Sequence, residues 1–408
     1  MMRSVSQALA QDYSAYAASA GRLAGRTILQ IVPDLQSGGA ERTTIDVAEA
    51  LTQAGARCLV ASRGGRMVSE LQSKGGVWLP FPAATKNPFA MMFNSVQLAR
   101  ILRDEGVDIV HARSRAPAWV AYYAARQAGV RFITTYHSAY YGASPVKLRY
   151  NSIMASGDLV IANSHFAAQR IATLHPDAAE RVVVIPRGAD LKAFSPSAVS
   201  PERVQRLRAQ WSVSPHERVV LLPARLSARK GHAVLIDAAK RLLSDGVDDI
   251  RYIFVGDAHS ESFRRSIETQ IARAGLAGLM RAVGHCDDMP AAYLAAAVTV
   301  APSTEPEAFG RVAIEAQAMG APVIVSDIGA SPEIVLCPPQ TPAGQMTGWR
   351  VAPGDPAALA GAIREALEMK ASAREELMRR ARDNVRRRFS VEQMCQSTLQ
   401  VYERALGG

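Results

Sequence analysis

The sequence predicts an α/β protein of two domains, each a parallel β-sheet covered by helices on both faces. Three observations point there. Short apolar runs alternate with helical stretches along most of the chain, the pattern of strands buried on both faces. A stretch rich in Pro and Ser at 194–201 divides that alternation into two series. The 408 residues exceed what a single hydrophobic core supports.

The first series begins with a strand at 28–32. A loop follows, ending Ser37-Gly38-Gly39-Ala40, and a helix starts at Glu41 with Ile45, Ala48 and Leu51 along one side. Gly55 stops that helix and 58–61 forms the next strand. Gly38 and Gly39 therefore lie at the carboxyl end of the first strand, where open parallel sheets bind ligands. A plain tight turn is the alternative for a bare GG pair. Neither a GxGxxG fingerprint nor a Walker loop occurs. Further strands are expected at 107–111, 131–135, 158–162 and 181–185, with a helical run through Leu98 and Leu102. After the turn Arg187-Gly188-Ala189-Asp190 comes the break, with the domain boundary set at 195/196.

The second series has strands at 219–222, 252–255, 280–283, 298–300 and 323–325, and a short last one at 349–351. Residues 357–388 read as helix, with an arginine-rich face from Arg374 to Arg388 expected to be solvated. A final helix over 391–406 carries Met394, Leu399, Tyr402 and Leu406.

Composition narrows the partners. A hydrophobic share of 48% and a charged share of 21% belong to a soluble globular protein. The net charge of +10 favours anionic partners: nucleotide phosphates, nucleic acid or an acidic membrane face. No basic run interleaved with aromatics speaks for nucleic acid. Cys58, Cys286, Cys337 and Cys395 are far apart, so neither a zinc site nor a disulfide framework is expected and a reducing compartment fits. No apolar run reaches the ~20 residues of a membrane span. Residues 1–26 do not read as a signal peptide, because Asp12 interrupts the apolar core. Val5, Leu9, Tyr13 and Tyr16 share a helical face there, read as packing on the body of the protein, with membrane contact the alternative.

The chemistry concentrates in 307–328, EAFGRVAIEAQAMGAPVIVSDI. It reads as loop, helix and strand, with Val312, Ala316 and Met319 on one helical face, Ile314 and Ala318 close by, and Gly320 and Pro322 as the stop. Gly310 lets backbone approach a ligand at the helix start, where free N–H groups favour an anion. Glu307 precedes the helix, and Glu315 in its second turn can accept hydrogen bonds from paired hydroxyls. An ordinary amphipathic helix with two solvated glutamates is the bland alternative. Arg225 and Lys230 flank the end of the first strand of the second series, and Gly231 opens the next helix. Two cations there suit a diphosphate, against the alternative of a basic surface loop. His137 ends a strand of the first series, where it can bond a sugar hydroxyl or serve as an ordinary structural histidine. Asp287-Asp288 reads as a helix N-cap rather than a metal site. Arg113, Arg115, Lys147 and Arg149 are expected on loops of the first domain, as a solvated face or a greeting for an anionic acceptor or membrane.

Together these stretches resemble the retaining glycosyltransferases of family 4, over about residues 27–406 and in order. EAFGRVAIE matches the family's E-x7-E motif, and PARLSARKGHAVLIDAA resembles its phosphate-binding segment. GGAERTTIDVAEAL, VIPRGAD, GHCDDMPAAYLAAAV and APVIVSDIGASPEIV also have family counterparts. The resemblance implies the GT-B fold: two Rossmann-like domains facing across a cleft, with the C-terminal helix crossing back to the N-domain. The implied division is an N-terminal extension at 1–26, an acceptor domain at 27–195, a nucleotide-sugar donor domain at 196–390 and the crossover helix at 391–408.

By the same resemblance Arg225 and Lys230 hold the donor diphosphate, Glu315 the ribose hydroxyls and Glu307 the transferred sugar. Ala308, Phe309, Gly310 and Arg311 complete the donor loop. Gly38 and Gly39 close on the donor from the other domain, and His137 matches the family's cleft histidine. No metal or other cofactor is implied. Arg187 and Ala308 depart from the Asn and Gly common at those places, which bears on sugar or acceptor preference.

The expected function is transfer of a hexose, with retention, from a UDP- or GDP-linked sugar to a glycan or lipid-linked acceptor of lipopolysaccharide or other envelope polysaccharide. A nucleotide-sugar epimerase and an inactive nucleotide-sugar-binding scaffold are the alternatives. The expected location is the cytoplasm, with peripheral contact at the anionic inner face of the membrane and no nucleic-acid partner.

Overall fold

The computed structural model describes residues 22–36, 38–85, 87–137, 144–258 and 260–407. The stripe Val5, Leu9, Tyr13 and Tyr16, most of the 1–26 extension, and Ser37 of the glycine loop lie outside the described residues.

Two parallel sheets organise the chain. The first has seven strands in the order β3-β2-β1-β4-β5-β6-β7. These are β1 Thr27–Ile31, β2 Arg57–Ser62, β3 Val77–Pro80, β4 Ile109–Ala112, β5 Arg131–Tyr136, β6 Leu159–Ala162 and β7 Val182–Val184. The second has six in the order β10-β9-β8-β11-β12-β13. Its strands are β8 Arg218–Pro223, β9 Ile250–Val255, β10 Met280–Gly284, β11 Val298–Ala301, β12 Val323–Ser326 and β13 Trp349–Val351. Counted from its own first strand, each sheet begins 3-2-1-4-5-6, the Rossmann order. The order reverses between β1 and β4 in the first sheet and between β8 and β11 in the second, and these reversals are where such folds bind ligands.

Side-chain alternation explains why both faces are covered. Val219 and Leu221 of β8 enter one apolar cluster, with Ile253, Val255, Val323 and Val325. Val220 and Leu222 enter the other, with Tyr252, Phe254, Val300 and Ile324. A strand apolar on every residue needs partners on both sides, and each fully buried Val, Leu or Ile contributes roughly 1.5–3 kcal/mol.

The helices that flank the functional surfaces are α1 Gly39–Gln53, α2 Pro88–Asp104, α3 Arg115–Ala128 and α4 Pro145–Ser152 in the first series. In the second they are α5 His232–Ser244, α6 Arg311–Ala318, α7 Pro356–Glu368 and α8 Ala371–Arg388, followed by α9 Val391–Gly407. No described helix is long and apolar enough to cross a membrane.

The chain divides into two compact units. One holds the described residues to Ala162, Ile171–Ile185 and the C-terminal stretch from Glu392; the other holds Asn163–Arg170 and Pro186–Val391. So α9 returns to the first unit. There Tyr402 is fully buried and its hydroxyl lies 2.7 Å from His111 Nδ1, while Thr135 Oγ1 lies 2.7 Å from Nε2. Within the second unit, the turn expected at 187–190 is stitched to the end of α8. Ala189 donates to Phe389 O at 2.8 Å and Val391 donates to Ala189 O at 3.1 Å. A Cβ on Gly188 would stand 2.5 Å from Ser390 O, so only glycine fits that crossing.

Several sequence expectations need correction. The helix expected at 357–388 is two helices, α7 and α8, broken at Met369-Lys370, where Lys370 takes extended backbone. Arg374 donates to Ala366 O at 3.3 Å, satisfying a carbonyl that a continuous helix would have paired internally. The arginine face is not simply solvated. Arg374, Arg380 and Arg388 bond the carbonyls of Ala297, Met346 and Glu333, whereas Arg379 and Arg386 form surface ion pairs. Arg113 is 3% exposed and bonds Gln30 Oε1 at 2.8 and 3.0 Å, so it is no part of a basic surface. Arg115, Lys147 and Arg149 stand on α3 and α4, not on loops. Asp288 is an N-cap, accepting from Ala291 N at 3.1 Å, as the sequence predicts, and it also pairs with Arg203.

Candidate active site

The reversal between β8 and β11 gathers most of the residues singled out in the second domain. The loop after β8 carries Arg225, Lys230 and Gly231; the loop after β11 carries Ser303, Glu307 and Gly310. The two loops are fastened together. Thr304 N donates to Arg229 O at 2.9 Å. Gly231 has φ +74°, and a Cβ there would lie 1.8 Å from Pro302 O, so the close approach requires glycine.

Lys230 Nζ sits 2.7 Å from Glu307 Oε1, and Ser303 Oγ bonds the same oxygen. Both carboxylate oxygens can accept, so Oε2 of Glu307 stays available while Oε1 is held. Lys230 keeps donors beyond the one it gives to Glu307. The backbone of Glu307 is clamped as well. Ala330 N donates to Glu307 O at 3.0 Å, and Gly329, φ +63°, would place a Cβ 2.5 Å from that carbonyl.

Gly310 caps α6 without a side-chain cap, and among the described residues no side chain accepts from the first N–H groups of the helix. The start of the helix thus offers free donors and the positive end of the dipole. Arg311 and Lys230 add cations, and Gly310, Lys230 and Glu307 line one cavity of about 220 Å³ with Phe309 and Ser303. Ala308 is buried, and its carbonyl accepts from Ser164 Oγ at 2.6 Å, which pins the loop after β11. Phe309 packs edge-on against Phe389, the ring centroids 5.9 Å apart.

Glu315 occupies the second turn of α6 but is not solvated. Arg311 Nε donates to its Oε1 at 3.1 Å and the Tyr293 hydroxyl donates to Oε2 at 3.0 Å. Burial, with the Glu315 charge beside it, holds the Tyr293 phenol far above its usual range, so it acts as a donor throughout the physiological range. Arg225 is exposed, and no ion pair of it occurs among the described residues; it lies on the β8 loop but does not line the cavity with Lys230. The expected face of the helix is buried at Ala316 and Met319, with Ile314 and Ala318 beside them, while Val312 lines the cavity instead.

In the first unit Gly38 caps α1 with φ +147°, and a Cβ there would meet the Glu41 carboxylate at 2.4 Å. His137 follows β5 directly and is half-buried. Both positions are at the carboxyl edge of the first sheet. A larger groove of about 630 Å³ lies between α5 and α7, but it holds no residue of the β8 or β11 loops, and its Arg364 and Asp245 neutralise each other.

Comparison with known proteins follows this geometry. Residues 37–193 match the model of glycosyltransferase family 4, and residues 204–388 match that of glycosyl transferases group 1. A crystal structure of a glycosyltransferase from Rickettsia africae aligns with a TM-score of 0.84 at 33% identity, covering 93% of this chain and 98% of that one. The chain belongs to the GT-B glycosyltransferases.

This glycosyltransferase is also similar to Anabaena HepE, solved in complex with UDP-glucose. The TM-score is 0.80 at 25% identity, over 93% of this chain and 99% of that one. Among curated relatives, a D-inositol 3-phosphate glycosyltransferase of Geodermatophilus obscurus is 30% identical over 260 residues, 62% of this chain. The matched stretch spans 54% of that relative, about half its length. Sequence reasoning did not name Ser303, Tyr293 and Gly329, which hold Glu307 and Glu315 in place. Gly329 sits in a stretch already matched to the family, and its place after a strand was the available signal. Tyr293 also sits in a matched stretch, GHCDDMPAAYLAAAV, with nothing to single it out there, and Ser303 gave no signal.

Proposed function

We propose that the protein moves a hexose from a nucleoside-diphosphate sugar to a hydroxyl of a glycan or glycolipid, with retention at the anomeric carbon. One conjunction carries the reading: Lys230, the start of α6 and the Glu307 carboxylate line one cavity at the strand-order reversal of one sheet. Lys230, Arg225 and the α6 N–H groups bind the diphosphate and stabilise the charge it gains as it leaves. Glu307 takes the sugar hydroxyls through Oε2, and Glu315 takes the ribose hydroxyls. His137, Gly38 and Gly39 are the contributions assigned to the first unit. In the step itself the acceptor oxygen bonds to the anomeric carbon as the bond to the diphosphate breaks on the same face. The acceptor's proton passes to a diphosphate oxygen, so no enzymic nucleophile and no metal are required.

UDP-glucose is the first donor to test, supported by its presence in the HepE complex. The acceptor is assigned to the cell envelope, lipopolysaccharide or another polysaccharide, made at the cytoplasmic face of the membrane. The names of the curated relatives make an inositol phosphate the competing acceptor, so both belong in the assay. A thermal-shift panel of UDP, GDP, ADP, dTDP and CMP with their sugar conjugates tests the reading. Stabilisation by one diphosphate, lost in Arg225→Ala, supports it; no shift with any nucleotide moves the weight to an inactive scaffold. Turnover that persists undiminished in EDTA is expected, and its loss would reject metal independence.

A further inference from the structure

The first unit carries an apolar face that its own core leaves uncovered. On α2, Phe89, Met92, Phe93 and Val96 recur at helical spacing and are 80%, 66%, 69% and 41% exposed. Val146 on α4 is 78% exposed and Tyr123 on α3 is 51% exposed. Between these helices runs an open groove of about 610 Å³, floored by Met91, Trp119 and Tyr150. Trp119 stacks on Tyr123 with centroids 6.1 Å apart, and its indole N–H donates to Tyr150 O at 3.1 Å. Contiguous exposed apolar surface of this kind marks an interaction site rather than a chance exposure.

Charge indicates what meets it. Residues 88–103, 115–128 and 144–152 contain no Asp or Glu and six cations: Arg100, Arg103, Arg115, Arg126, Lys147 and Arg149. The next acids, Asp104 at the end of α2 and Glu105 just beyond it, come after the last of its cations, and Glu105 is paired with Arg57. Arg126 lies over the Tyr122 ring at 4.7 Å, and Lys147 and Arg149 are exposed on α4. Basic side chains around exposed Phe, Met, Trp and Tyr suit an interface with anionic headgroups and an acyl boundary beneath them. A second copy packed on the same face would set these cations against themselves.

We propose that this face docks on a bilayer rich in anionic lipid. Phe89, Met92, Phe93 and Val146 enter the headgroup boundary, and Arg126, Lys147 and Arg149 meet the lipid phosphates. The inference stands apart from the transferase reading, because it concerns where the protein sits rather than what it turns over.

The test is co-sedimentation of the full chain with vesicles of phosphatidylglycerol and phosphatidylcholine, against vesicles of phosphatidylcholine alone. Wild type is expected to bind the anionic vesicles about tenfold better. Phe89→Ser/Phe93→Ser and Arg126→Glu/Arg149→Glu should each lower that binding about tenfold while their thermal midpoints match wild type. Since the substituted side chains are exposed, a retained midpoint separates lost docking from lost folding. Equal binding to both vesicle types, or unchanged binding by the variants, overturns the proposal. So does a dimer in vesicle-free solution that Phe89→Ser/Phe93→Ser dissolves, which would assign the face to a second copy. No turnover is needed, so failure here leaves the transferase assay to be judged by itself.

Discussion

Lys230 and Glu307 form an ion pair of 2.7 Å that joins the loops after β8 and β11, with side chains 19% and 24% exposed. The pair fixes a cation at the strand-order reversal without using up its hydrogen-bonding capacity. Lys230→Ala is therefore expected to lower kcat by about 100-fold or more, the scale of removing one fixed charge donor. The cost in stability should stay near 1 kcal/mol, since the surviving carboxylate is partly hydrated. Glu307→Gln should leave nucleoside-diphosphate affinity equal or tighter, because Lys230 loses a competitor, while turnover falls. Titration calorimetry alongside initial rates checks both; weaker diphosphate binding by Glu307→Gln would contradict the arrangement.

Tyr293 acts through Glu315. Its buried hydroxyl holds Oε2 of that carboxylate at 3.0 Å while Arg311 holds Oε1 at 3.1 Å, so the carboxylate is fixed from both sides. Tyr293→Phe removes one hydrogen bond to a charged group, roughly 1.5–3 kcal/mol. The expected result is a donor KM raised tenfold or more with kcat nearly unchanged. If Glu315 takes the ribose hydroxyls as proposed, a 2′-deoxy donor should lose less than the ribo donor, because part of that contact is already missing. An equal loss with both donors would reduce Tyr293 to a packing role.

Gly231 separates packing from chemistry at the same site. Its φ of +74° and the 1.8 Å distance from a built Cβ to Pro302 O leave no room for alanine. Gly231→Ala should destabilise the second unit by more than 1 kcal/mol and weaken nucleotide binding, although no side chain of the site is altered. A thermal midpoint within error of wild type would show that the β8 and β11 loops can move apart freely.

Much of this site was legible in the sequence, and the rest was hidden for identifiable reasons. Charged and glycine residues at strand ends announce themselves, which is why Lys230, Glu307 and Gly310 could be named before their positions were known. Ser303 and Tyr293 could not be found that way, since one hydroxyl in a loop and one buried phenol on a helix create no spacing. β3 also escaped: Val77 and Pro80 are exposed, and this edge strand lacks the continuous apolar run of its neighbours. Arg113 was misread because a buried arginine and a surface one look alike in sequence; the neutral Gln30 that receives it lies 83 positions away.

Acid should weaken the fold through histidines held neutral. Burial, with Lys230 nearby, pulls the His232 imidazole from 6.5 to about 4, and burial also lowers His111 and His175. The unfolded chain binds these protons first, so stability is full above pH 6.5 and falls as pH drops toward 4. For His232 alone the loss at about pH 5 is roughly 2 kcal/mol. Chemical denaturation at about pH 7.5 and pH 5 should show a smaller difference in His232→Gln than in wild type; an identical difference would remove His232 from the account.

Most of the second unit is, in chain terms, an insertion. Pro186–Val391 interrupts a unit whose own parts lie on either side, with α9 supplying Tyr402 to His111 from the far end of the sequence. A fragment ending at Ile185 therefore leaves a hole in its own core, and no single cut yields two whole halves. The reverse operation is open. Because the insertion leaves and re-enters at the neighbouring, hydrogen-bonded pair Ala189 and Val391, the segment between those points can be exchanged for a relative's as an internal cassette, provided that Asn163–Arg170, whose Ser164 bonds Ala308, is exchanged with it. Such an exchange swaps the sheet that carries Lys230 and Glu307 and leaves the exposed face of α2, α3 and α4 unchanged.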